Sequence, residues 1–369
     1  MAQTIAALSS GRPPAGIAVI RISGPAAFAA GQALAGPLPA PRTMALRALR
    51  NAGDALLDRA LIVAFPGPAS ATGEDLLELH LHGGVAVVQA VLAALLALPD
   101  LRLAEPGEFT RRGFANGRID LAEAEGLADL VAAETDAQRR QALALAGGGL
   151  SRAAEAWRDH CLAILAEAEA GLDFAEDEGD VAARLDEAAR EALAAMAAEL
   201  AALIADAARA ERIRDGLTIA VTGPPNVGKS SLVNALAMRD AAIVTPVAGT
   251  TRDVIEVPLD LDGVAAIMID TAGLRETDDP VEAEGIRRAR QRAATADLVL
   301  AVTDGEAASP DTASSWTIRN KIDLSPGSDA GVSALTGAGI RELRGRLAAW
   351  ASAAVRPGEP VLLLSLIHI

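Results

Sequence analysis

The octapeptide GPPNVGKS, residues 223–230, constrains this chain more than any other stretch. Gly223, four intervening residues, then Gly228, Lys229 and Ser230 meet the pattern G-x-x-x-x-G-K-[ST]. Small residues let backbone N–H groups wrap a run of phosphates, the lysine neutralises them, and the final hydroxyl can bind Mg²⁺. The loop follows the apolar run LTIAVT and opens into SSLVNALA, so it is expected between a strand and a helix. Asn226, Val227, Gly228, Lys229, Ser230 and Ser231 are its candidate phosphate contacts.

Further segments follow in the order that nucleotide hydrolysis requires. DTAG (Asp270, Thr271, Ala272, Gly273) ends another apolar run. A carboxylate there reaches the Mg²⁺ shell, and the glycine amide approaches the γ-phosphate. GTTRD, residues 249–253, lies between the two, and Thr251 can join Ser230 on the Mg²⁺ while sensing the γ-phosphate. NKID supplies Asn320, Lys321 and Asp323. The Asp323 carboxylate can accept from the ring N–H and the exocyclic amine of guanine, a donor pair that adenine lacks. Ser333, Ala334 and Leu335 complete the base side. A GTPase domain is therefore expected. Ras-like GTPases orient the attacking water with a glutamine after DTAG; here the residue is Leu274, which cannot.

At 369 residues the chain exceeds what one core organises, so several domains are expected. Residues 1–118 mix the short β-rich runs IAVIRIS, ALIVAF and DLLELHLH with Gly/Pro punctuation, as in an α+β domain. Residues 119–212 are rich in Ala, Leu, Glu and Arg and read as long helices, with Leu193, Met196, Leu200 and Leu203 on one stripe. From 213 to 350 the runs LTIAVTG, AAIMIDTAG and ADLVLAVTD alternate with helical segments, as in a doubly wound parallel sheet. Residues 351–369 form an apolar tail without amphipathic period, which reads as an incomplete or frame-shifted end. Between Asp304 and Asn320 only GEAASPDTASSWTIR remains for a strand and its crossover, which is short for a βαβ unit.

The formal charge of −16 argues against gripping nucleic acid through bulk electrostatics, so any RNA substrate is held locally or by a partner. The single cysteine, Cys161, excludes an internal disulfide framework. With neither a leader nor an uncharged apolar run of spanning length, a cytoplasmic protein with no membrane association is expected. His80 and His82 alternate on a strand-like run without a third ligand at metal spacing, so both are read as structural.

GPPNVGKSSLVNALAMRDAAIVTPVAGTTRDVIE, DTAGLRE and VEAEGI resemble the MnmE (TrmE) family of tRNA-modification GTPases. GIAVIRISGPAA, ATGEDLLELHLHGG and EPGEFTRRGFANGRIDLAEAEGLADLVAAET are similar to that family's N-terminal segments, in order and spacing. The resemblance implies an α+β folate-binding N-terminal domain and a G domain inserted in a helical one. It also implies K⁺ in place of an arginine finger, held by Asn226 and by Thr245, Pro246, Val247, Ala248, Gly249 and Thr250, with Thr245, Val247 and Thr250 as ligands beside Asn226. A cation against the β/γ bridge supplies the same positive charge as the finger. By resemblance Glu282 orients water; from residue chemistry alone it is a solvated carboxylate. Arg21, Glu78 and Arg118 match the family's contacts to a tetrahydrofolate derivative (5-formyl or 5,10-methylene), although exposed Arg and Glu are usually surface ion-pair members. The implied assembly is a homodimer working on tRNA with the FAD-containing partner MnmG.

The family's members end in a C-x-G-K motif after further helices, which this sequence does not show. The helical stripe of residues 193–203 is expected to be partly uncovered as a result. A ribosome-assembly GTPase of the Era or Der type would share the cradle, DTAG and N-K-x-D but not residues 1–118. A non-catalytic dimerising fragment would share all of these and lack turnover.

Overall fold

The computed structural model describes residues 3–174, 179–237, 256–270, 294–305, 314–324 and 331–355. The chain parts into two compact units at Ala124/Glu125, six residues beyond the limit inferred at residue 118.

The first unit is an α+β layer pair. Strands β1 (Thr4–Leu8), β2 (Ile17–Ser23), β3 (Ala45–Arg50), β4 (Leu56–Phe65), β5 (Leu76–His82) and β6 (Leu101–Leu103) form one sheet in the order β3-β4-β5-β2-β1-β6. Only the β1–β6 pair is parallel. Alternation along β2 and β5 explains which side is core: Ala18, Ile20, Ile22, Leu77, Leu79 and Leu81 are buried. They pack with Ala27, Ala30 and Leu34 of α1 (Ala27–Ala35) and Val88, Val91 and Leu95 of α2 (Val85–Leu96). Burying each such Leu or Ile contributes about 1.5–3 kcal/mol. The same period of two puts Arg21, Glu78 and His80 on the opposite face. Helix α3 (Glu108–Ala115) follows, and the unit boundary falls within α4 (Leu121–Ala132).

The second unit joins helices to a mostly parallel sheet. Helix α5 (Asp136–Ala146) opens on a capping box between Thr135 and Gln138. The long helices α6 (Gly149–Phe174) and α7 (Gly179–Ala205) pair side by side, with Trp157 Nε1 donating to Glu199 Oε1 at 3.0 Å and Cys161 Sγ 3.7 Å from Met196 Sδ. The α7 stripe is only partly covered: Met196, Leu200 and Leu203 are half-buried, and Leu193 is 52% exposed. Helix α8 (Ala207–Asp215) leads through Gly216 into β7 (Leu217–Thr222).

Strand β7 is central in the second sheet, whose order is β11-β10-β7-β9-β8, with β8 (Glu256–Leu261), β9 (Val264–Asp270), β10 (Leu298–Thr303) and β11 (Ser315–Arg319). Strands β11, β10, β7 and β9 are parallel, as expected of apolar runs buried on both faces. The edge strand β8 departs from that expectation. It runs antiparallel to β9 because Asp262 and Gly263, with φ of 53° and 92°, close a two-residue hairpin. Helices α9 (Lys229–Ala237) and α10 (Ile340–Val355) cover the sheet, burying Leu232, Leu236, Leu343 and Leu347. Trp316 of β11 meets Trp350 of α10 edge to face at 6.4 Å and carries the Arg346 guanidinium 3.9 Å above its ring. The expected strand before Asn320 is β11; its crossover falls on residues 306–313, outside the described residues, as does the tail from 356 onward. No helix among the described residues is long and apolar enough to cross a membrane.

Candidate functional site

The phosphate cradle lies between the end of β7 and the start of α9. Its backbone needs residues that tolerate positive φ: Gly223 at 139°, Asn226 at 63° and Gly228 at 87°. A Cβ on Gly223 would collide with the Val302 carbonyl of β10, and one on Gly228 with the Asn320 amide nitrogen. The loop thus approaches its neighbours and any bound phosphate by backbone alone. Lys229 is 7% exposed and folds over the loop, its Nζ donating to the Gly223 and Pro224 carbonyls at 2.8 and 2.7 Å. With the N-terminus of α9 behind it, the cradle combines an ammonium with a helix end that favours anions.

Two hard oxygen donors meet beside the cradle. Ser230 Oγ at the start of α9 donates to Asp270 Oδ2 at the end of β9, 2.5 Å away. Parallel pairing places Asp270 opposite Val221, at the mouth of the cradle. A hydroxyl and a carboxylate are the hard oxygen donors that a divalent cation takes.

The base motif is tied to the cradle. Asn320 is 2% exposed, and its Nδ2 donates to the carbonyls of Val227 at 2.9 Å and Gly228 at 3.4 Å, while its Oδ1 accepts from Ala334 N at 3.1 Å. Lys321, at φ 62°, donates from Nζ to the Asn226 carbonyl at 2.5 Å and lies 3.6 Å from Asp304 Oδ2. Asp323 stands exposed on the 3₁₀ turn Ile322–Leu324. Ser333 is fully buried and caps its own turn through Thr336 N, while Leu335 is exposed. The structure thus brings Asn226, Val227, Gly228, Asn320, Lys321 and Ala334 into one bonded cluster. Thr245, Pro246, Val247, Ala248, Gly249, Thr250, Thr251, Thr271, Ala272, Gly273 and Glu282 lie outside the described residues.

In the first unit, Arg21 and Glu78 face each other across β2 and β5: Nε and Nη2 donate to Oε1 at 3.0 and 2.7 Å. The Phe109 ring of α3 lies 5.8 Å from the Arg21 guanidinium carbon. A cation, a carboxylate and an aromatic face are the donor set a pterin with an anionic tail calls for. Arg118 instead donates from Nε to the Ser70 carbonyl at 3.1 Å, against the 70–74 loop.

Sequence reading overlooked the network behind this face. Arg112 Nη1 donates to Glu74 Oε2 at 2.9 Å and Arg112 Nη2 to Glu108 Oε1 at 3.0 Å, while Arg102 grips both Glu108 oxygens at 2.6 and 2.7 Å. The Arg102 hydrogen bonds hold the Glu108 carboxyl down at about 2, against the opposing pull of burial. Ser23 Oγ also donates to Glu74 Oε2 at 2.9 Å. EFTRRG was the available signal, with an acid four residues ahead of Arg112 on one helix face.

Two family patterns meet on this chain: GTP-binding protein TrmE N-terminus over residues 4–118, and the MnmE helical domain over residues 121–366. The second match begins before the cradle and ends beyond it. The chain belongs to the MnmE family. The tRNA modification GTPase MnmE of Azorhizobium caulinodans is 58% identical over 346 residues, covering 92% of this chain and 79% of that protein. That of Rhodopseudomonas palustris is 52% identical over 362 residues, covering 95% and 82%. A Methylobacterium relative of the same name is 52% identical over 378 residues, covering 98% and 85%. Among solved structures, the G domain of the T. maritima FeoB iron transporter aligns with 37% of this chain and 98% of its own, at 22% identity and a TM-score of 0.24.

Proposed function

We propose that this MnmE-family chain is a K⁺-activated GTPase that drives modification of a tRNA wobble uridine together with MnmG. The observation that carries the reading is the bonded cluster joining cradle and base motif, with Ser230 against Asp270 at its mouth. Lys229 and the first turn of α9 receive the β- and γ-phosphates. Ser230, Thr251 and Asp270 hold Mg²⁺, and Asp323 accepts the two guanine donors while Asn320 keeps the motif on the loop. Leu274 has no polar atom to orient water, so that role passes to Glu282. Asn226 and the 245–250 loop would hold K⁺, which would supply the positive charge that an arginine finger gives elsewhere.

Arg21, Glu78 and Arg118 hold a tetrahydrofolate derivative, which when bound supplies the one-carbon unit for the carboxymethylaminomethyl-type group at uridine position 5. Arg21 answers the anionic tail, and Glu78 pairs with the pterin amine and ring N–H. The acidic balance of the chain fits a division of labour in which MnmG carries much of the tRNA surface, and the N-terminal unit dimerises.

The test is GTP turnover of the purified chain in KCl and NaCl at equal ionic strength, with nucleotide binding followed in parallel. Clear stimulation by potassium supports the reading. Binding with equal turnover in both salts removes the cation site, and absence of GTP binding removes the GTPase.

A further inference from the structure

Glu78 is held from both sides, and only one of its partners belongs to the folate contacts proposed above. Arg21 places two N–H groups on Oε1, and His80 Nε2 stands 3.2 Å from Oε2. Register produces the second contact as directly as the first. Arg21 opposes Glu78, His80 opposes Val19 on β2 and Leu61 on β4, and the two-residue period of β5 returns His80 to the face of Glu78. The His80 side chain is 23% exposed, against 72% for His82, the last residue of β5, whose Nδ1 meets Asp58.

A carboxylate that accepts an N–H from the planar edge of a pterin must hold its accepting oxygen in that plane. Arg21 cannot enforce this, because both of its bonds end on Oε1 and the terminal carboxylate torsion is broad. An Nε2–H donated to Oε2 pins the second oxygen and so fixes the plane. Arg21 fills both lone-pair positions of Oε1 and His80 one of Oε2, so a single Oε2 position is left to accept from a ligand, with its direction set by His80.

We infer that His80 is a positioning residue for a pterin-bearing ligand: it orients the Glu78 carboxylate and thereby sets affinity for the pterin edge. The inference rests on the folate reading of Arg21 and Glu78. It replaces the purely structural role read for His80 from the sequence.

The test is calorimetric titration of the full chain with 5-formyltetrahydrofolate, with GTP binding and thermal unfolding measured on the same samples. His80→Leu, which keeps bulk and loses the donor, is expected to weaken folate binding about tenfold, the loss of one hydrogen bond to a charged group. His80→Gln, whose amide can donate to Oε2, restores most of that affinity, and His82→Leu leaves it unchanged. Added to Glu78→Ala, His80→Leu causes no further loss. Equal losses in the Leu and Gln variants, or an unaltered His80→Leu titration, overturn the positioning role while leaving the folate reading intact. A parent chain that does not bind the folate, or Arg21→Ala and Glu78→Ala variants that bind it like the parent, brings down the folate reading and this inference with it.

Discussion

Asn320 Nδ2 donates to the Val227 carbonyl at 2.9 Å, across 93 positions of sequence. That bond makes the phosphate loop and the base-reading turn one rigid body. Its nitrogen serves the Val227 and Gly228 carbonyls and its oxygen is spent on Ala334 N, so the side chain links three loops at once. Lys321 repeats the link from the next residue through the Asn226 carbonyl. A guanine nucleotide spanning base and phosphate sites therefore meets a frame fixed before it arrives, which lowers the ordering cost of binding.

Removing that frame is expected to cost affinity for every guanine nucleotide alike. Asn320→Ala leaves the Val227 carbonyl without its donor, while that of Gly228 keeps Leu232 N, a loss of about 1–3 kcal/mol. Titration with a fluorescent GDP and a fluorescent GTP analogue is expected to show both weakened by a similar factor of about 5–150. Unchanged affinity for either would show that the bond does not support the site.

Base choice rests on Asp323. An asparagine there offers one acceptor and one donor, which matches the ring N–H and the C2 carbonyl of xanthine rather than the two donors of guanine. Asp323→Asn is expected to lower GTP affinity and raise XTP affinity, with a combined swing of about tenfold or more. Competition between the two nucleotides measures it, and a variant that still prefers GTP by the parent's ratio sinks the base assignment.

The cradle tests differently through Gly228. An added methyl meets the Asn320 amide, and φ of 87° is unfavourable for any L side chain. Gly228→Ala is expected to destabilise the second unit by about 1–3 kcal/mol and to abolish nucleotide binding. Chemical denaturation with intrinsic tryptophan emission checks it, because Trp316 and Trp350 lie in the same core. A variant with parental stability and GTP affinity would show that the loop relaxes freely.

Much of this site is legible in sequence because its chemistry needs backbone approach and fixed charge at fixed spacing. Gly223, Gly228, Lys229, Ser230, Asp270 and Asn320 all fall where their motifs indicate. What sequence could not supply was the partner of each motif: nothing local connects Lys321 to Asn226, or Glu74 to Arg112 across 38 positions. Strand β8 escaped for another reason. Pro258 interrupts EVPLDL and demotes it as a strand, yet an edge position tolerates proline, and Asp262-Gly263 was the hairpin signal that outweighs it. Helical periodicity found the Leu193 to Leu203 stripe but not its burial, since the period reports a face and not what covers it.

The buried Glu108 ties acid stability of the first unit to two arginines. Its carboxyl ordinarily titrates near 4.5, and in the fold the hydrogen bonds of Arg102, aided by Glu105 N and Arg112, hold it at about 2. A depressed folded value means that the contribution is fully present above about 4.5 and is lost as pH falls from there towards about 2. Glu108→Gln keeps the shape and removes the charge, so the two arginines lose their shared anion. The variant is expected to be less stable at neutral pH by on the order of 2–3 kcal/mol, with the difference from the parent shrinking as both are acidified through that window. Unfolding of the two chains at a series of pH values from 7 downward measures this. A gap that stays constant below pH 4.5 would falsify the proton linkage and leave Glu108 with a packing role alone.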